Sequence, residues 1–174
     1  MKTVSPPHEF HHRIFSVKKS LLAGLLVWLG LLAPLAAQDS APALDFGDGT
    51  SATLTAKAWQ ATEAKNPAAA AAYAAKCIEL YRAKAIEQQN ALTAPLTVKE
   101  EIFTQWALND VGTCCFIRGQ AQEKQGNTKD ALDSYKFVVE NLSFAQTWDT
   151  AGWFWKPSTA AAERIKALET GTAP

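Results

Sequence analysis

The chain has 174 residues, 48% of them hydrophobic, with 17 basic and 17 acidic side chains. That is enough apolar material for one packed domain of ordinary size. The even charge is a poor match to the broad basic face that nucleic acid demands, and no nucleic-acid partner is expected.

The first segment, residues 1–37, reads as an export signal. Lys2, Arg13, Lys18 and Lys19 precede an uninterrupted apolar run from Leu21 to Leu35, and Ala36-Ala37 stand before a polar start at Gln38-Asp39. A basic region, an apolar core and small residues before a polar start are the parts of such a signal, with cleavage expected after Ala37. An uncleaved anchor is the alternative, and the only membrane contact foreseen. The run is shorter than the roughly 20 residues of a comfortable span. Loss of residues 1–37 removes His8, His11 and His12, and with them every histidine general base, triad or metal ligand. It leaves 13 basic against 16 acidic side chains, a mildly acidic domain in a periplasmic or secreted setting.

Residues 38–52 are rich in Gly, Asp, Ser and Pro and read as a linker ending in a turn. Asp45-Phe46-Gly47-Asp48-Gly49-Thr50 lacks the third acidic position and the distant glutamate of a calcium loop. From Thr53 to Lys65, Leu54, Ala58, Trp59 and Ala61 recur at helical spacing. Asn66-Pro67 then predicts an N-cap and a restart, with a second helix from Pro67 to about Gln89. After the break NALTAPL, Thr97 and Glu100 match a capping box opening one long helix to Gln125. Gly126 is placed for a left-handed C-cap, and Asn127 for capping a partner helix that carries Ala131, Tyr135, Val138, Val139 and Leu142. A last helix from Ser158 or Thr159 to Leu168 turns Ala160, Ala161, Ile165 and Leu168 inward, and Gly171 stops it.

Cys77, Cys114 and Cys115 all follow the leader. They allow one bridge, Cys77 with Cys114 or Cys115, or three buried free thiols. A bond between the adjacent pair would be strained, and the spacing fits neither zinc nor a redox CxxC. No metal and no cofactor are expected.

Gly119, Ala121, Gly126-Asn127, Ala131, Tyr135 and Val138 resemble the two-helix pattern of a tetratricopeptide repeat. The span 54–81 is similar in the same register, with Ala58, Lys65-Asn66, Ala70 and Cys77 at the matching positions. The resemblance covers about half the chain and implies an all-α fold over 53–170: a short, irregular solenoid of two helical hairpins with a capping C-terminal helix. Corresponding points at 70 and 131 lie 61 residues apart, against about 34 in a regular array. It also implies a non-enzymatic module that binds a protein or peptide along the concave faces of its first helices. There Trp106, Asn109, Asp110, Thr113 and Arg118 would be accessible, with Lys57 and Gln60 from the first copy. Asn109 and Asp110 also admit a structural reading, as polar groups bonding across to a neighbouring helix.

The stretch SFAQTWDTAGWFWKP is read as a loop carrying Phe144, Trp148, Trp153, Phe154 and Trp155. Its aromatics either seal an open end of the solenoid or stack on a carbohydrate. In an extended segment Trp153 and Trp155 are expected to point opposite ways. The segments WALNDVGTC and GWFWKP are similar to those of short exported bacterial proteins labelled glucanase precursors. Glycoside hydrolysis needs two carboxylates about 5 to 10 Å apart in a cleft, whereas Glu100, Glu101, Asp130, Asp133 and Glu163 fall at helix starts or solvated positions.

Overall fold

The computed structural model describes residues 43–172, and the export segment with residues 38–42 of the expected linker lies outside the described residues. Within them run α1 (Ser51–Glu63), α2 (Pro67–Ala91), α3 (Lys99–Thr104), α4 (Trp106–Lys124), α5 (Thr128–Asn141), β1 (Thr147–Asp149), β2 (Trp153–Trp155) and α6 (Pro157–Glu169). The domain is mostly helical, as expected. The tryptophan-rich stretch expected as a loop is instead an antiparallel ribbon.

α1 starts inside the expected linker because the acidic turn before it closes on itself. Gly47 N–H donates to Asp45 Oδ1 at 2.8 Å and Thr50 N–H to Asp48 Oδ1 at 3.0 Å. Thr50 Oγ1 then accepts from Thr53 N–H and caps the helix. Phe46 packs edge-on against Tyr73 of α2 at 5.6 Å.

The turns after α1 and α4 are built alike. Asn66 N–H donates to the Ala61 carbonyl and Asn127 N–H to the Gln122 carbonyl, each at 2.9 Å. The residues before them, Lys65 (φ 55°) and Gly126 (φ 78°), sit in the left-handed region. Asn66 caps α2 by accepting from Ala69 N–H at 3.1 Å. Asn127 was expected to cap α5 likewise but makes no side-chain capping bond. A lysine Cβ is strained at positive φ and glycine is not. Lys65→Gly is therefore expected to stabilise the fold by about 1 kcal/mol, read as a higher urea midpoint at unchanged slope.

The single long helix expected from Thr97 is broken in two. α3 begins only at Lys99, with no side-chain cap and so no capping box at Thr97, and the chain leaves helical geometry at Gln105 (φ −87°, ψ 42°). A break frees backbone groups that need partners, and side chains from elsewhere supply them. Gln88 of α2 donates to the Thr104 carbonyl at 3.2 Å and accepts from Leu108 N–H at 2.8 Å. Asn109 Nδ2 donates to the Ile102 carbonyl at 2.8 Å.

α4 is the axis of the domain. Every residue from Ala107 to Ile117 except Asp110 is buried, so the helix is enclosed on all sides rather than presenting one open stripe. It packs against α1, α2, α5 and α6. Gly119 lets α5 come close: a Cβ there would lie 2.4 Å from Tyr135 Cε1. Gly112 faces Ala145, in the connection before the ribbon, where a Cβ would lie 2.7 Å from the alanine Cβ, with Val138 of α5 and Pro157 of α6 each 3.7 Å away. α6 buries Ala161 and lays Ala160, Ile165 and Leu168 against the core. It ends at a left-handed Gly171, with Thr172 N–H bonded to the Ala167 carbonyl at 2.9 Å.

Candidate ligand surface

The residues expected to share a concave groove do not meet. Enclosure of α4 sends each to a different neighbour. Asn109 is buried with both ends of its amide used, since Oδ1 also accepts from Gln146 N–H at 2.9 Å. Thr113 is fully buried and bonds the Asn109 carbonyl at 2.8 Å and Thr147 Oγ1 at 2.6 Å. Asp110 accepts from Ser51 Oγ at the start of α1, at 2.5 Å. Burial pushes its carboxyl above the usual range, and the Ser51 hydrogen bond offsets only part of that. Arg118 turns to α5, donating to Ser134 Oγ at 3.0 Å. Trp106 is 43% exposed and stands edge-on to Tyr81 at 5.6 Å. Lys57 pairs with Asp45 at 3.1 Å, and Gln60 is exposed on α1. These side chains form no shared open groove, and Asn109 and Asp110 bond across to neighbouring segments, as their structural reading has it.

The cysteines are equally enclosed. Cys77, Cys114 and Cys115 are free and fully buried, so the bridge from Cys77 is not formed. Thr55 Oγ1 lies 3.2 Å from Cys114 Sγ and 3.9 Å from Cys77 Sγ. Burial pushes the Cys115 thiol up to about 12 and raises that of Cys114 as well, which withholds the thiolate needed for reaction or metal binding. Among the described residues no three His, Cys, Asp or Glu side chains gather to hold a metal ion.

The ribbon is where exposed aromatic chemistry collects. Thr147 pairs with Trp155, Trp148 with Phe154, and Asp149 with Trp153, around a loop that Gly152 closes at φ 101°. Strand alternation puts residues two apart on one face, so Trp153 and Trp155 point the same way, against the expectation, and Phe154 points the other. On that other face Trp148 and Phe154 stand 4.9 Å apart with Phe103 of α3 beside them, and Lys99 Nζ lies 3.8 Å over the Trp148 ring.

On the first face Trp155 packs inward, 5.4 Å from Phe116 and 6.3 Å from Trp59. Trp153 remains 54% exposed and stacks on no other described ring. It borders a cleft of about 590 Å³ floored by Trp59, Phe116 and Trp155 and rimmed by Asp149, Lys156, Thr159 and Glu163. Sealing and exposure are thus divided between two tryptophans of one strand. Trp59, Phe103, Phe116 and Lys99 were not foreseen as part of this surface. The one sequence signal was their aromatic or cationic type at helix positions, which equally describes core and solvated faces.

The fold and this surface define a small helical domain bearing an aromatic ribbon. Against known protein families, curated proteins and solved structures, the chain finds no match.

Proposed function

We propose that this chain is a non-catalytic binding module that acts outside the cytoplasm and takes a carbohydrate at the aromatic ribbon. The observation that carries this reading is Trp153, an aromatic plane left free beside a cleft whose rim alternates acceptors and donors. A pyranose offers the complement, an apolar C–H face to stack on the ring and hydroxyls for the rim. The non-catalytic part is supported by how the two rim carboxylates are used. Asp149 is tied into the ribbon turn, accepting from Ala151 N–H at 2.7 Å, and Glu163 stands in solvent on α6. Neither has the enclosed setting that makes a carboxyl a general acid. The charge and apolar pattern of residues 1–37 supports export.

The two hairpins, α1 with α2 and α4 with α5, are read as two degenerate tetratricopeptide-like copies. Their matching turns at Lys65-Asn66 and Gly126-Asn127 support this, as do the buried small residues Ala58, Ala70, Gly119 and Ala131.

Titration with cellotriose is expected to give a saturable shift in tryptophan fluorescence. Trp153→Ala is expected to weaken binding at least tenfold, about 1.4 kcal/mol, while Trp106→Ala leaves it unchanged. A shift that survives Trp153→Ala, or no saturable shift at all, sinks the reading. A second reading, a protein or peptide partner, is favoured by Val98, Phe103 and Trp148, all exposed, two of them in contact at 6.2 Å on the opposite side of the ribbon. Capture of a partner that Phe103→Ala abolishes and Trp153→Ala spares would decide for it.

A further inference from the structure

The Trp153 cleft has a neighbour about one helical turn along the same three helices. It is a cavity of about 740 Å³ lined by Thr62 after α1's Trp59, by Gln120 and Lys124 of α4, and by Arg164 and Leu168 of α6. Phe116, Gln120 and Lys124 follow one another at four-residue spacing, so one face of α4 floors both spaces. At 1.5 Å per residue that floor spans about 12 Å, room for two to three sugar units.

The two ends differ in chemistry. Around Trp153 the walls are aromatic. At the far end Gln120 Oε1 is buried and has no hydrogen-bond partner among the described residues, an orphaned acceptor that a donor from water or from a ligand would satisfy. Lys65, Lys124 and Arg164 stand there against the single carboxylate of Glu123, which Arg164 already holds. Lys65 and Lys124 make no ion pair among the described residues. Lys65 is also kept at positive φ, where its counterpart in the second hairpin is Gly126.

We propose that the two spaces form one trough and that its ligand is an acidic oligosaccharide. One sugar ring stacks its apolar C–H face on Trp153, a hydroxyl of the next unit donates to Gln120 Oε1, and a uronate carboxylate lies between Lys65 and Lys124. This rests on the carbohydrate reading above and adds the ligand's charge, length and direction.

The test is calorimetric titration of the full chain at low salt with trigalacturonate, cellotriose and monomeric galacturonate. Trigalacturonate is expected to bind at least tenfold tighter than either of the others. Lys65→Gly and Lys124→Gln should each cut that preference about threefold or more without changing cellotriose binding, and added salt should do the same. Gln120→Met should weaken trigalacturonate and, by removing the orphaned acceptor, raise Tm by about 3 °C. That combination of weaker binding and higher Tm separates a ligand group from a merely structural one. Equal affinity for cellotriose and trigalacturonate, untouched by the lysine variants, overturns the acidic ligand and leaves the carbohydrate reading intact. Tight trigalacturonate binding that ignores Trp153→Ala, or a monomer as tight as the trimer, overturns the single trough. No saturable binding of any of the three overturns both.

Discussion

Gly119→Ala is expected to cost about 3 kcal/mol of stability, at the upper end of what overpacking does in a close-packed core. The added Cβ would stand 2.4, 2.6 and 2.8 Å from Cε1, Cζ and Cδ1 of the Tyr135 ring. That ring has nowhere to retreat. Tyr135 is fully buried, and its hydroxyl donates at 2.5 Å to Glu123, which Arg164 grips from α6. Moving the ring would therefore disturb three helices at once. Urea denaturation reads the loss as a lower midpoint, and a variant within about 0.5 kcal/mol of the parent would show that α5 is not clamped to α4 in this way. The same cluster sets an acid limit. Burial pushes the Glu123 carboxyl up, but the hydrogen bonds from Arg164 and Tyr135 and the charges of Arg164 and Lys124 outweigh it and hold the group below its usual value of 4.5. A carboxyl lowered in the folded state contributes stability above its unfolded pKa and loses it as pH falls through the folded one. The contribution from Glu123 should accordingly fade below about pH 4.5, and Glu123→Gln should flatten that part of the stability profile.

Asn109→Ala is expected to cost about 3 kcal/mol as well, by a different route. The amide makes two bonds to backbone, and its removal leaves the buried Gln146 N–H without its partner and the Ile102 carbonyl with the Gln105 N–H alone. An abandoned buried backbone group costs about 1 to 3 kcal/mol. Its sequence neighbour should behave in the opposite sense. Asp110 holds a carboxyl that burial pushes upward, so the folded state resists its charge, and Asp110→Asn can still accept from Ser51 while removing that charge. Stability at pH 7 should rise or hold in Asp110→Asn and fall steeply in Asn109→Ala. Parallel thermal melts of the two variants check both, and equal losses would contradict the assigned hydrogen bonds.

What could be read from the sequence was what depends on neighbours in the chain. Asn66-Pro67, Gly126 and Gly171 mark helix ends because their effects are local, and all three stand where expected. The misreadings concern partners far away. For Asp110 and Asn109 a bond to a neighbouring segment was legible but its partner was not, since Ser51 lies 59 residues off and Gln146 37 off. Polar residues on an enclosed helix carry the same pattern as polar residues on an open one until the neighbours are placed. Gln88 gave no sign that it would hold both sides of a helix break. The ribbon strands are three residues each, too short for alternation to stand out from a run of aromatics.

The break at Gln105 also has a dynamic consequence. The break interrupts the regular ladder of backbone bonds, so α3 can open without α4, and the Gln88 side chain keeps the Leu108 N–H bonded when it does. Six residues with one buried side chain, Ile102, form a weak cooperative unit. Hydrogen exchange in native conditions should accordingly be fast along Lys99–Thr104 and slow from Leu108 onward. Each such opening would lift Lys99 and Phe103 away from Trp148 and bare the outer side of the ribbon.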